Sequence, residues 1–206
     1  MKIGIIGNGH MAQALSGALA DKHAIRLGVR APAAPHQASL ADVAGWADAV
    51  ILTTPWRAEA EVAAQIADKV REKPVLDATN PVGIADHGPD VATVQTGASA
   101  AEGLKARLPG AHVVKTFNQI GAEFMADPTA LSGQPVMFAA GDHDIAKRTA
   151  LTLIGDAGFE GVDAGPLTNA RHLESLAMLW IWQAVRGPLG RRFGFAVSHL
   201  KTEGNL

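Results

Sequence analysis

The first twelve residues place the strongest constraint on what this chain can become. Lys2 to Ile6 read as a short buried strand, and the strand gives way at once to Gly7-Asn8-Gly9-His10-Met11-Ala12. Apolar residues then recur at helical spacing as Met11, Leu15, Ala18 and Leu19. The pattern is G-x-G-x-x-G/A between a strand and a helix, the setting in which it binds a dinucleotide. Each small residue answers a geometric demand: Gly7 admits a tight turn, Gly9 lets backbone N–H groups approach a pyrophosphate at a helix N-terminus, and Ala12 lets helix and strand pack closely.

Asp21-Lys22 end the first helix, and Ala24 to Val29 are expected to form a second strand. After such a strand an acid binds the ribose 2′-hydroxyl of NAD, whereas an arginine accommodates the 2′-phosphate of NADP. Val29-Arg30 stand at that place, and no Asp or Glu lies between Ala24 and Leu40. The expected cofactor is therefore NADP, because a guanidinium pairs a phosphate bidentately. The alternative is a solvated arginine at a strand end.

Pro32 and Pro35 make Ala31 to Gln37 too proline-rich for a helix, so the second crossover helix is expected to be short or lost. Ser39-Leu-Ala-Asp42 resembles a capping box for a short helix through Trp46. Ala49 to Thr53 form the third expected strand, with Thr54-Pro55 as N-cap and N1 proline of a helix bearing Ala58, Val62, Ile66 and Val70. Thr54, Pro55 and Trp56 thus fall at the carboxyl end of a strand, the ligand edge of an open parallel sheet.

The alternation continues. Pro74 to Asp77 is a fourth strand followed by Thr79-Asn80-Pro81, and His112 to Thr116 a fifth followed by Phe117-Asn118-Gln119. Between them Gly83 to Gly97 is turn-rich and Ala98 to Leu108 helical. Gln134 to Ala140 forms a sixth strand. Gly141-Asp142 cap a helix carrying Ile145, Thr149, Leu153, Ile154 and Ala157, and Phe159 to Asp163 complete the series. The expected fold is α/β, a Rossmann-type doubly wound and mostly parallel sheet spanning residues 1–165.

Residues 166–206 read differently, as a short C-terminal helical extension that completes a substrate pocket. Leu176-Ala-Met-Leu-Trp-Ile-Trp182 is apolar almost all round, and such a helix needs more than one neighbour. A homodimer interface is the preferred neighbour, with an intrachain core as the alternative. Gly187-Pro-Leu-Gly190 break the helix, and Arg191 to Leu206 are expected to form a shorter one with a frayed tail.

Composition removes other classes. A net charge of −2 offers no electrostatic footprint for nucleic acid or an anionic membrane. The absence of cysteine excludes disulfides and thiolate metal sites. The longest apolar run, Leu176 to Val185, falls short of the roughly 20 residues a membrane span needs, and Gly4 and Gly7 leave no signal-peptide region at the start. A cytoplasmic protein is expected. Eight histidines form no H-E-x-x-H, and there is no G-x-S-x-G, so neither a metal site nor a serine hydrolase is anchored. Hydride transfer needs no such group. The cofactor carries the reactivity and the protein aligns donor and acceptor.

Five motifs together resemble the coenzyme F420-dependent NADP oxidoreductase family, over residues 1 to about 190. They are Ile3-Gly-Ile-Ile-Gly-Asn-Gly9, Leu52-Thr-Thr-Pro-Trp56, Thr79-Asn-Pro81, Val114-Lys-Thr-Phe-Asn-Gln119, and Asp163-Ala-Gly-Pro-Leu-Thr-Asn-Ala-Arg171 leading into Leu173-Glu-Ser-Leu-Ala-Met-Leu179. The resemblance implies that backbone around Asn8, Gly9, His10 and Met11 binds pyrophosphate, that Val29-Arg30 face the 2′-phosphate, and that Thr54-Pro55 lie along the nucleotide. It implies that Phe117, Asn118 and Gln119 flank the nicotinamide; the loop after the fourth strand, with Asn80 and Pro81, is expected from the fold to line the same half of the site. A deazaflavin would sit over that ring near Gly187 to Gly190, with Trp56 in the pocket, and members are commonly homodimers. The family's serine before Arg30 is replaced here by Val29. The leading expectation is hydride exchange between NADP(H) and coenzyme F420 or a flavin-type small-molecule acceptor, by positioning and without a catalytic side chain. An NADP(H)-binding sensor without turnover is one alternative. A small imine or ketone reductase is another, although the residues after Gly165 are few for its substrate domain.

Overall fold

A computed structural model describes residues 1–85, 88–91 and 98–198. In chain order the elements are β1 (Lys2–Ile6), α1 (His10–Leu19), β2 (Ala24–Gly28), β3 (Gln37–Ala38), α2 (Leu40–Trp46), β4 (Ala49–Leu52), α3 (Glu59–Ile66), β5 (Pro74–Asp77), β6 (Val82–Ala85), β7 (Gly88–Val91), α4 (Ala100–Arg107), β8 (His112–Lys115), α5 (Ala122–Ala126), β9 (Val136–Gly141), α6 (Asp144–Asp156), β10 (Glu160–Asp163) and α7 (Ala170–Val185). Eight strands form one sheet in the order β10-β9-β8-β5-β4-β1-β2-β3. Strand order reverses at β1, whose neighbours are β2 on one side and β4 on the other.

Alternation along short apolar strands decides which residues face which helical layer. Ile3, Ile5, Ile51, Leu76 and Val114 face α1, α5 and α6, where they meet Leu15, Leu19, Met125, Leu153 and Ile154. Ile6, Val50, Leu52, Val75 and Val113 face α2, α3 and α4, against Val43, Val62, Ile66 and Leu104. The expected Rossmann-type α/β architecture is the observed one. No helix among the described residues is long and apolar enough to cross a membrane.

Several local expectations give way to tertiary context. β9 pairs antiparallel with β8, so β9 and β10 run against the other strands. A two-residue strand, β3, caps the sheet edge within the proline-rich stretch, and the segment read only as turn-rich contains the β6–β7 hairpin. Residues 86–87 and 92–97 of that segment lie outside the described residues. Ser39 caps α2 by accepting from the Asp42 N–H, as its sequence suggests. Thr54 caps nothing: the chain turns through a 3-10 segment, Trp56–Ala58, before α3 begins.

The cap of α6 is His143, whose Nδ1 accepts from the Ala146 N–H, and not Gly141-Asp142. Asp142 instead accepts from the Leu167 N–H and pairs with Lys105. The buried stripe of α6 includes Ala146 and Ala150 and leaves Ile145 61% exposed, one residue out of phase with its expected start. No helix forms over 191–198; the chain there touches the start of β9, where the Phe195 carbonyl accepts from the Val136 N–H. Residues 199–206 of the expected terminal helix lie outside the described residues.

Candidate active site

The carboxyl ends of β1, β2, β4 and β5 share one edge of the sheet, and a cavity of about 530 Å³ opens there. The glycine turn forms its floor. Gly7 has φ of +132°, and a Cβ on it would lie 2.5 Å from Thr53 Oγ1, which is engaged in donating to the Ile6 carbonyl. The fold itself therefore demands glycine at this position. Gly9 is different. Its φ of −81° suits any residue and a Cβ there would meet nothing within 4 Å. What a side chain at Gly9 would fill is the cavity.

Gly9 is also the N-cap of α1, and no side chain caps it. The first N–H groups of α1 have no intrahelical acceptor, and with the helix dipole they make this end of the cavity receptive to an anion. Asn8 and His10 stand beside it exposed, the Asn8 side chain held by a hydrogen bond from Gln13. At one end of the cavity Val29 is buried and Arg30 exposed, and among the described residues Arg30 has no carboxylate partner. Leu40 and Val62 supply apolar wall, Thr54, Pro55 and Trp56 the side, and Ala78, Thr79 and Asn80 the other end.

Behind Thr79 lies a buried charge cluster. Lys115 donates to Asp77 Oδ2 at 2.9 Å and to the Thr79 carbonyl at 2.6 Å, and stands 3.4 Å from Glu174 Oε1. Glu174 reaches from α7 to accept from the N–H groups of Ala100 and Ala101, so one carboxylate closes the N-terminus of α4 while balancing Lys115. The Thr79 N–H in turn donates to Asp77 Oδ1. Glu59, the first residue of α3, borders the cluster with Oε1 accepting from Arg107 at 3.3 Å and Oε2 buried without a partner. Burial, reinforced by the Asp77 carboxylate, pushes its carboxyl up to about 7 against the opposing pull of Arg107 and Lys115.

The cavity brings together Gly7, Asn8, Gly9, His10, Met11, Val29, Arg30, Thr54, Pro55, Trp56 and Asn80. Pro81, Phe117, Asn118 and Gln119 stand behind its wall. Asn118 donates to Asn80 Oδ1 and to the Leu173 carbonyl, and its own carbonyl accepts from Asn80. Gln119 accepts from the Phe138 N–H and donates to its carbonyl, serving as a side-chain strand partner beside β9. Phe117 is fully buried at φ of +58°, a conformation a bulky residue holds only where its surroundings enforce it. Gly187 and Gly190 form a turn beyond α7 and do not line the cavity; the Gly187 N–H donates to the last carbonyls of that helix. Sequence reading passed over Glu59, Thr79, Lys115 and Glu174 as site residues. The signal was present in two of them, since Lys115 and Glu174 are charges set inside apolar motifs.

Fold and cavity define a dinucleotide-binding protein of the Rossmann class. The family model described as NADP oxidoreductase, coenzyme F420-dependent, matches residues 2–81. The F420-dependent NADP reductase of Methanothermobacter thermautotrophicus is 31% identical over 166 residues, covering 77% of this chain and 69% of that protein. A solved structure described as a candidate F420-dependent NADP-reductase from Arthrobacter sp. FB24 superposes with a TM-score of 0.85 at 30% identity, over 97% of this chain and all of that one. The metalloreductase STEAP3 of Rattus norvegicus is 30% identical over 86% of this chain but only 36% of its own length. The chain belongs to the coenzyme F420-dependent NADP oxidoreductase family and is an NADP-dependent oxidoreductase.

Proposed function

We propose that the cavity holds NADP(H) and that hydride passes between its nicotinamide and a deazaflavin such as coenzyme F420, or a flavin-type acceptor, in the cytoplasm. The observation that carries this reading is Gly9, a glycine the fold does not require, at an uncapped helix N-terminus facing open cavity. The residues fit the cofactor along its length. In this reading Arg30, beside Val29, takes the 2′-phosphate, the N–H groups from Asn8 to Met11 the pyrophosphate, and Thr54, Pro55 and Asn80 the nicotinamide half, all of them on the cavity lining.

When bound, the nicotinamide supplies or receives the hydride; the chain's part is alignment and exclusion of water. Asn118, bonded twice to Asn80, ties the loop after β5 to the loop after β8 behind the end of the cavity assigned to the ring. Pro81, Phe117 and Gln119 back that wall. Trp56, Gly187 and Gly190 are assigned to the acceptor side. A second copy of the chain is assigned to the exposed stripe of α7, where Leu179, Trp182 and Val185 recur at helical spacing.

The test mixes the protein with NADPH and, separately, F420, FMN, FAD or ferric chelates, and follows loss of the nicotinamide absorbance. Oxidation with the deazaflavin or a flavin supports the reading. Tight NADPH binding with no turnover on any acceptor replaces it with a cofactor sensor.

A further inference from the structure

We propose that Glu59 is a proton-linked charge partner of the nicotinamide, ionised when the oxidised ring is bound and protonated when the reduced ring is bound. NADP+ binding then releases a proton that NADPH binding retains. This rests on the reading above, which sets the nicotinamide at the Thr79–Asn80 end of the cavity.

Glu59 is 6% exposed, and only one of its two carboxylate oxygens has a partner. A buried oxygen without a hydrogen bond is a poor place for a full negative charge, which makes the protonated form accessible near neutrality. Charged groups face it from every side. Asp77 comes from β5, Arg107 from α4, Lys115 from β8 and Glu174 from α7, while Arg57 borders the small cavity that Glu59 lines beyond Trp56. In this group Lys115 holds both Asp77 and Glu174 by contacts of 3.4 Å or less, and each of the two carboxylates also accepts from backbone N–H groups. Glu59, bonded only to a half-exposed arginine at 3.3 Å, is the member left able to change charge. Its carboxyl stands at about 7, where small changes in local charge alter its occupancy.

The cluster reaches the cavity through Thr79, whose N–H and carbonyl are both bound to it. The reduced nicotinamide is neutral and the oxidised ring carries one positive charge. A cation arriving beside Thr79 favours the carboxylate form of Glu59 and lowers its affinity for the proton. The step is balanced: protein with Glu59 as the acid, plus NADP+, gives the complex with Glu59 as the carboxylate, plus one free proton. No electrons move.

The experiment is calorimetric titration with NADP+ and with NADPH in buffers of different ionisation enthalpy near pH 7, giving the protons released by each. The 2′-phosphate is common to both ligands and cancels in their difference. Wild type is expected to release more protons with NADP+ than with NADPH. Its ratio of Kd for NADP+ to Kd for NADPH should fall about fivefold from about pH 6 to pH 8, the change that an about tenfold weaker hold on the proton gives for a carboxyl standing at about 7. Glu59→Gln should bind both ligands and abolish the difference. Equal proton release in wild type overturns the proposal, as does a difference that survives Glu59→Gln; Glu61→Gln and His10→Asn, on the cavity wall itself, should leave the difference in place. Should Glu59→Gln not fold, infrared difference spectra of wild type decide: the protonated-carboxyl C=O band must be weaker in the NADP+ complex, and an unchanged band refutes the assignment. Failure of both dinucleotides to bind would instead remove the cavity assignment on which the inference rests.

Discussion

Lys115 Nζ lies 2.9 Å from Asp77 Oδ2, and neither side chain is exposed at all. The two residues are register partners on β8 and β5, so the pair is built into the sheet edge itself. Glu174 adds a second carboxylate from α7, tying the C-terminal helix to the sheet through one ammonium. Lys115→Met leaves two buried carboxylates without their cation. It is expected to cost about 3–5 kcal/mol in a urea unfolding titration. A loss below about 1 kcal/mol, the range of a surface pair such as Arg71–Asp68, would show that the cluster is not a stabilising centre.

Gly7 and Gly9 should separate stability from binding. Gly7→Ala forces a Cβ to within 2.5 Å of Thr53 Oγ1 in a backbone conformation L residues avoid, and should destabilise the protein by about 1–3 kcal/mol. Gly9→Val meets open space and should cost no more than about 1 kcal/mol, the ordinary penalty for losing a good N-cap residue. Its NADPH affinity, read by fluorescence titration, should nevertheless fall by more than about tenfold, or about 1.4 kcal/mol. Unimpaired binding by Gly9→Val would remove the pyrophosphate from the Gly9 end of the cavity.

Arg30→Ala is expected to weaken NADPH binding by about 1.5–3 kcal/mol, the range for a charge-assisted hydrogen bond. NADH, which lacks the 2′-phosphate, should be almost unaffected. Parallel titrations with both dinucleotides check this, and equal losses would falsify the phosphate assignment.

The pH dependence of stability has a distinct signature at Glu59. Its folded-state value of about 7 exceeds its ordinary 4.5, so the folded protein holds the proton more tightly than the unfolded chain between those values. Stability from this group is complete below about pH 4.5 and is lost as pH rises toward 7, by on the order of 3 kcal/mol. Glu123, Asp142 and Asp156 act in the opposite sense: side-chain hydrogen bonds from Arg191, Lys105 and Lys22 hold them below their ordinary range, and their contribution is lost toward acid pH. Urea titrations from pH 5 to 8 should show wild type losing stability relative to Glu59→Gln as pH rises; parallel curves would refute the assignment.

Leu179→Glu should convert a dimer to monomer in sedimentation velocity, because Leu179 is 51% exposed on α7 and its burial requires another molecule. Trp180, its neighbour, is unsuitable for the test: it is 5% exposed and its indole N–H donates to the Phe193 carbonyl within the same chain. A monomeric wild type would end the dimer assignment.

Local pattern carried most of the architecture. Glycine spacing, period-two and helical apolar stripes, and the Ser39 cap are interactions among residues close in sequence, and so Lys2 to Ile6, Gly7 to Ala12 and the strand-helix alternation could be read without the fold. The direction of β9 and the buried Ala146–Ala150 stripe could not, since each depends on what a distant segment presents, and His143 takes the cap of α6 where Asp142 is drawn away to Leu167 and Lys105. The same division runs through the cavity. Sequence alone put Gly7, Gly9, Arg30 and Trp56 at strand ends, where an open parallel sheet binds its ligands. Only tertiary structure revealed that Gly7 is required by Thr53 whereas Gly9 is not required by any neighbour, and that Asn118 and Gln119 are occupied in holding Asn80 and Phe138. It alone gathered Glu59, Asp77, Lys115 and Glu174 from four separate elements into one low-dielectric space. Charge is a long-range interaction whose consequence is set by burial and by partners, and neither is written in the order of the residues.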